Sequence, residues 1–260
     1  MHQYVLKNNN TLIWIPFIVA VVLLGLIMSA GLNREIFLII HHALRDHGPD
    51  ILWETLTFIG DAGVTPLIMI VFIKKRPDLI WATCWASLMA YFVSHGLKPT
   101  VNELRPPAVL EHLDVLGPIL KYSSFPSGHA TTIFTLVGLL TLGVPTSFRI
   151  SALIWLLGIL VALSRIAVGV HWPIDILAGL FIGWGSALVG LWLAHYSLKN
   201  INNSYYWVPQ FMFLVLIVVN LFGQPYGFQE LWLLQKVIAV GAGILWFSQT
   251  MGWYRQAKRP

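Results

Sequence analysis

Apolar residues run through this chain in blocks near the roughly twenty residues that a helix needs to cross a bilayer, separated by short polar or basic stretches. Blocks at about 11–31, 51–73, 79–97, 126–144, 150–170, 174–196, 205–223 and 231–251 predict eight crossings. Residues 34–50 are too polar to cross. Within them Phe37, Ile40 and Leu44 recur at helical spacing beside Ile36, which predicts a helix lying along the interface. The longest connection is 98–125, and the shortest is His171-Trp172-Pro173. The fold class expected is all-α, a polytopic membrane helical bundle. It divides into residues 1–204, whose motifs fall within 98–175, and a C-terminal two-helix hairpin with a basic tail at 205–260. The first block is longer than a signal-peptide core and lacks a small-x-small cleavage site after it, so it reads as a retained span.

Composition strengthens this picture. The 260 residues are 57% hydrophobic and 10% charged, and mean hydropathy is +0.73, which ordinary soluble domains do not reach. The net charge of +5 sits mostly in short loops, where the preference for cytoplasmic Lys and Arg accounts for it, so no nucleic-acid partner is expected. With a cytoplasmic N-terminus, Lys7, Lys74, Lys75, Arg76, Arg149, Lys199, Arg255, Lys258 and Arg259 lie inside. Arg34, Arg45, Lys98, Arg105, Lys121 and Arg165 lie outside. Both termini are then cytoplasmic. The lone cysteine, Cys84, falls within a predicted span and forms no intramolecular disulfide.

Three stretches carry chemistry, all on the outer face in this topology. In Phe125-Pro-Ser-Gly-His-Ala130 a polar loop becomes an apolar helix, with Pro126 suited to the first helical position. The first-turn N–H groups of Ser127, Gly128 and His129 would then face outward at the positive end of the helix dipole, as an anion site requires. The same residues also read as a plain helix start. Lys98 and Arg105 sit seven apart, on one helical face if Pro99 opens a new turn and otherwise joined by the loop. Alternatively, both are interfacial anchors. Arg165 stands near the end of span five, and Asp175 in the first turn of span six can reach back to His171 and fix its tautomer, or simply complement the helix end. Three cations beside a dication are electrostatically wrong for a metal and right for a phosphate, so the site is expected to need neither metal nor cofactor.

Lys98-x6-Arg105-Pro106, Pro126-Ser-Gly-His129 and Ser164-Arg165-x5-His171-x3-Asp175, in this order on successive helix ends, resemble the three signature motifs of the type 2 phosphatidic acid phosphatase superfamily. The resemblance covers about residues 51–196, implies a six-helix core, and is silent on the hairpin. It implies that His171 attacks phosphorus with Asp175 orienting it, and that His129 protonates the leaving group and then activates water. Lys98, Arg105, Ser127, Gly128 and Arg165 would hold the phosphoryl oxygens. The implied activity is that of a bacterial inner-membrane lipid phosphatase working through a phosphohistidine. Substrate candidates are undecaprenyl pyrophosphate, phosphatidylglycerol phosphate, phosphatidate and lipid A phosphates. A lipid phosphotransferase using the same site and a non-enzymatic transporter or scaffold are the competing functions.

Weaker signals remain. Val109, Leu110, Leu113, Val115, Leu116, Ile119 and Leu120 either rest on the membrane by a lipid entrance or pack on the spans. Asp61, between Gly60 and Gly63, is an intramembrane carboxylate that either braces the catalytic helices or serves hydrogen bonding at a broken helix. Asn220, Gln235 and Lys236 read as interhelical hydrogen bonds and snorkelling.

Overall fold

The computed structural model describes residues 10–198, 207–225 and 227–257. Among them the architecture is all-helical: α1 (Asn10–Ala30), α2 (Asn33–His47), α3 (Asp50–Ile59), a 3-10 segment (Thr65–Phe72), α4 (Pro77–Val101) and the short α5 (Pro106–Val109). There follow α6 (Gly128–Gly143), α7 (Phe148–Ala167), α8 (Pro173–Leu198), α9 (Trp207–Phe222), a single 3-10 turn (Gln229–Leu231) and α10 (Trp232–Ala257). Lys7, Lys199, Lys258 and Arg259, used above for orientation, lie outside the described residues, as do 201–206, where span seven was expected to begin.

Helix α8 is the axis of the bundle, packed against α4, α6 and α1. Its glycines allow this. A Cβ on Gly190 would lie 2.6 Å from the Ala82 carbonyl oxygen of α4, and one on Gly183 would strike the Thr131 carbonyl of α6. Close backbone approach through small residues is the usual way membrane helices gain contact. Polar side chains also tie helices together: Trp184 Nε1 donates to Ile13 O (2.9 Å), joining α8 to α1, and the hydroxyls of Thr57 and Ser164 bond at 2.8 Å, joining α3 to α7.

The block at 51–73 is broken rather than a continuous helix. α3 stops at Gly60. The Asp61 carbonyl then takes the N–H groups of Val64 (3.0 Å) and Thr65 (2.8 Å), Thr65 Oγ1 donates to Ile59 O (2.6 Å), and Pro66 has no N–H to continue an α-helical ladder. α6 likewise begins later than expected. Ser127, not the residue before Pro126, is its N-cap: Ser127 Oγ accepts from Ala130 N (3.4 Å), and Pro126 precedes the cap after a cis bond. The amphipathic α2 buries Phe37 and His41, with His41 Nδ1 2.9 Å from Ile166 O.

Among the described residues, four helices are long and apolar enough to cross a membrane: Ile13–Ala30, Phe148–Ala167, Pro173–Ser197 and Gln229–Arg255. Gly128–Gly143 and Trp207–Phe222 are apolar but shorter. Large apolar side chains such as Phe92, Leu153, Val219 and Ile244 face outward along the helices. An apolar core inside an apolar exterior suits hydrocarbon as solvent, and the chain is an integral membrane protein.

Candidate active site

At one end of the bundle the C-terminus of α4, the N-terminus of α6 and the bend between α7 and α8 come together. Arg76 marks the opposite end, pairing with Asp78 (2.7 Å) and donating to Gly143 O (3.0 Å) at the finish of α6. α4 continues through Pro99 to Val101, and Asn102 in the left-handed conformation (φ 44°) closes it. Arg105 therefore leaves the helix, and the loop brings the two cations together. Lys98 Nζ donates to Ser123 O (3.0 Å), Arg105 Nη2 to the same carbonyl (3.2 Å), and Arg105 Nε to Tyr122 O (2.9 Å).

The loop is anchored throughout. Arg105 N donates to Lys121 O (3.0 Å), Ser124 N to Glu103 O (2.9 Å) and Leu116 N to Val168 O (3.1 Å). Its apolar residues divide between the two sequence readings. Leu110, Leu113, Val115 and Leu116 pack on the core, Val109 and Ile119 face out, and Leu120 lines the cavity described below.

His171 is held at both ring nitrogens. Asp175 Oδ2 lies 3.2 Å from Nδ1, and Arg105 Nη1 lies 3.3 Å from Nε2. A guanidinium can only donate, so this contact assigns the proton to Nδ1, facing the carboxylate, and leaves a lone pair on Nε2. Asp175 is fully buried and also accepts from Trp172 N (2.8 Å) and Ser124 Oγ (2.5 Å). Burial first, then the nearby Arg105 and Arg165, push the His171 imidazole well below its ordinary value. Both effects favour the neutral ring.

Ser124 carried no signal in the sequence, because a loop serine before the Pro-Ser-Gly-His stretch has neither periodicity nor a spacing that points to Asp175. Ser127 sits behind the site: its N–H donates to Asp175 O (3.1 Å), and the residue is fully buried. Gly128 faces open space, with nothing within 4 Å of where a Cβ would stand. Arg165 is buried, and its Nε has no hydrogen-bond partner among the described residues.

Lys98, Arg105, Gly128, His129, Arg165 and His171 line one cavity of about 470 Å³. From them it runs between the 3-10 segment, α4, α6 and α9, past Pro66, Ala90, Leu136 and Leu216 as far as Met69 and Leu139. His129 and Leu139 are ten residues apart on α6, about 15 Å along the axis. One end is cationic and the other apolar.

The sequence profile of the PAP2 superfamily matches residues 79–199. An undecaprenyl-diphosphatase of Sulfolobus acidocaldarius is 29% identical over 193 residues, 68% of this chain and 82% of that protein. A putative undecaprenyl-diphosphatase of Escherichia coli, YbjG, is 42% identical over 163 residues, 60% of this chain and 79% of its own. The crystal structure of Aquifex aeolicus LpxE superposes with a TM-score of 0.56 at 28% identity, covering 62% of this chain and 94% of that one.

Proposed function

The chain belongs to the PAP2 superfamily, and from that premise we propose that it is a lipid phosphatase whose site faces the extracytoplasmic side, with both termini in the cytoplasm. The observation that carries this reading is the amphiphilic cavity, which joins three cations and two histidines to an apolar trough. It is the negative image of a phosphate headgroup on a hydrocarbon chain. Undecaprenyl diphosphate is the leading substrate, supported by the names of the Sulfolobus and Escherichia coli relatives.

His171 Nε2 attacks phosphorus, the bond from phosphorus to the leaving oxygen breaks, and His129 gives that oxygen its proton. Water then attacks the phosphohistidine, His129 takes a proton from it, and the P–N bond breaks to release phosphate. Asp175 stabilises the positive charge that develops on the His171 ring. Lys98, Arg105, Arg165 and the α6 N-terminus at Gly128 offset the negative charge on the phosphoryl oxygens. Ser127 contributes by capping α6 and tying it to Asp175. With this much fixed positive charge the reaction needs no metal.

Purified protein offered undecaprenyl diphosphate, phosphatidylglycerol phosphate, phosphatidate and lipid A phosphates tests the reading. Phosphate should be released fastest from undecaprenyl diphosphate, with EDTA present, and vanadate should inhibit. His171→Ala should lose about 10⁴-fold or more in kcat and His129→Ala about 10²–10⁴-fold. Release from none of the four would leave a scaffold or transporter, and transfer to an added acceptor lipid without free phosphate would make the protein a phosphotransferase.

A further inference from the structure

The carboxylates of the site are unequally shared. Asp175 is committed to His171, Ser124 and the Trp172 N–H. His129 has a different neighbour, Asp61, whose Oδ2 lies 3.9 Å from His129 Nε2. Asp61 comes from the break after α3, where backbone bonds hold it. Its Oδ1 accepts from Gly63 N at 2.7 Å, and its carbonyl takes the two N–H groups that start the 3-10 segment. Beside it, a Cβ on Gly60 would lie 2.6 Å from Val161 Cγ1, so glycine lets the end of α3 sit against α7, and only 3.5 Å from His129 Cδ2, so the backbone passes close to the imidazole.

The charged groups bearing on His129 are Lys98 from α4, Arg105 from the loop, Arg165 from α7 and, when protonated, His171 from the bend. The hairpin side presents uncharged Asn220, Gln224 and Gln235. An imidazole that must carry a proton among three fixed cations needs an anion beside it, and Asp61 is the carboxylate facing it among the described residues. Asp61 and His129 also line a second cavity of about 170 Å³, closed by α9 and the start of α10. Gln235, 4% exposed, leaves its Oε1 unpartnered there, as a polar, water-holding space would allow. The Asp61 side chain keeps 37% of its surface accessible, so water can reach the carboxylate.

We propose that Asp61 is the positioning residue of His129, forming with it a second carboxylate–imidazole pair that favours the protonated imidazole and aims it at the leaving oxygen. This rests on the acid–base role given to His129 above. The test measures kcat and KM across pH with undecaprenyl diphosphate in detergent, for wild type, Asp61→Asn, Asp61→Glu and His129→Gln. Asp61→Asn should lower kcat about 10–100-fold with little change in KM. Its basic limb should move down by about one pH unit, because without the carboxylate the imidazolium loses its proton earlier as pH rises. Asp61→Glu, which keeps the charge one methylene further out, should recover part of both, and carries the test alone if the asparagine variant does not fold. A wild-type profile in either variant, or a reduced kcat with the limb unmoved, would overturn the pair. His129→Gln separates the two levels of inference. Lost turnover there beside an unmoved limb in Asp61→Asn removes only the pair, whereas wild-type turnover in His129→Gln removes the acid–base assignment and the pair with it.

Discussion

The contacts around His171 act on one quantity, the availability of the Nε2 lone pair. Asp175 fixes the proton on the far nitrogen, and Ser124 and the Trp172 N–H fix Asp175. A hydrogen bond to a buried charged group contributes about 1.5–3 kcal/mol, so Ser124→Ala should lower kcat about 10–100-fold, measured by phosphate release. The depressed His171 basicity has a sign that can be checked. A ring that stays neutral below the ordinary value of ~6.5 remains a nucleophile there, so the acidic limb of kcat/KM should fall below pH 6.5. A limb at or above that value would contradict it. At this scale the sequence was informative where spacing is local, and it lost information where contacts are distant. His171 and Asp175 are four apart and could be paired by helical geometry. Ser124 and Asp175 are 51 apart, and His129 and Asp61 are brought together by the packing of both α3 and α6 against α7. No pattern in the chain encodes those distances. Arg105 lies between the two cases, since its Arg-Pro context was legible but its route into the site depended on a loop whose bonds are carbonyl by carbonyl.

Helices were legible because hydrophobic blocks of membrane length have one interpretation, and breaks were not. The interruption at 60–64 depends on a side chain, Asp61, and a proline, Pro66, acting together inside an otherwise apolar run. The later start of α6 depends on Ser127 bonding to a residue in another helix. The central position of α8 depends on which of its glycines face a neighbour. Gly190 meets backbone atoms of α4, and Gly241 in α10 meets nothing within 4 Å. Gly190→Ala should therefore lower stability by about 1–3 kcal/mol through overpacking. Gly241→Ala should be neutral or raise it by up to about 1 kcal/mol, because an open helical site only gains from a stiffer unfolded chain. Thermal unfolding in detergent reads both, and equal behaviour of the two would refute this account of the packing.

Across the whole molecule, charge and structure place the two ends of the bundle differently. Lys74, Lys75 and Arg76 lie beside the end of α6 and the last turns of α10, whereas Lys98, Arg105 and Arg165 lie at the opposite end, inside the site. With Cys84→Ser as background, Glu111→Cys should react with a membrane-impermeant maleimide in intact cells, and Lys75→Cys only after permeabilisation. The reverse pattern would turn the site to the cytoplasm. Two parts of the chain build the wall of the cavity that holds Lys98 and His171. Its charged end comes from residues 98–171, but Met212 and Leu216 on α9 line its flank, beyond the stretch 79–199 that the superfamily profile matches. Appetite for one tail over another can therefore be retuned by repacking a helix that never meets the phosphorus, so closely related proteins with identical reaction machinery need not share a preferred lipid.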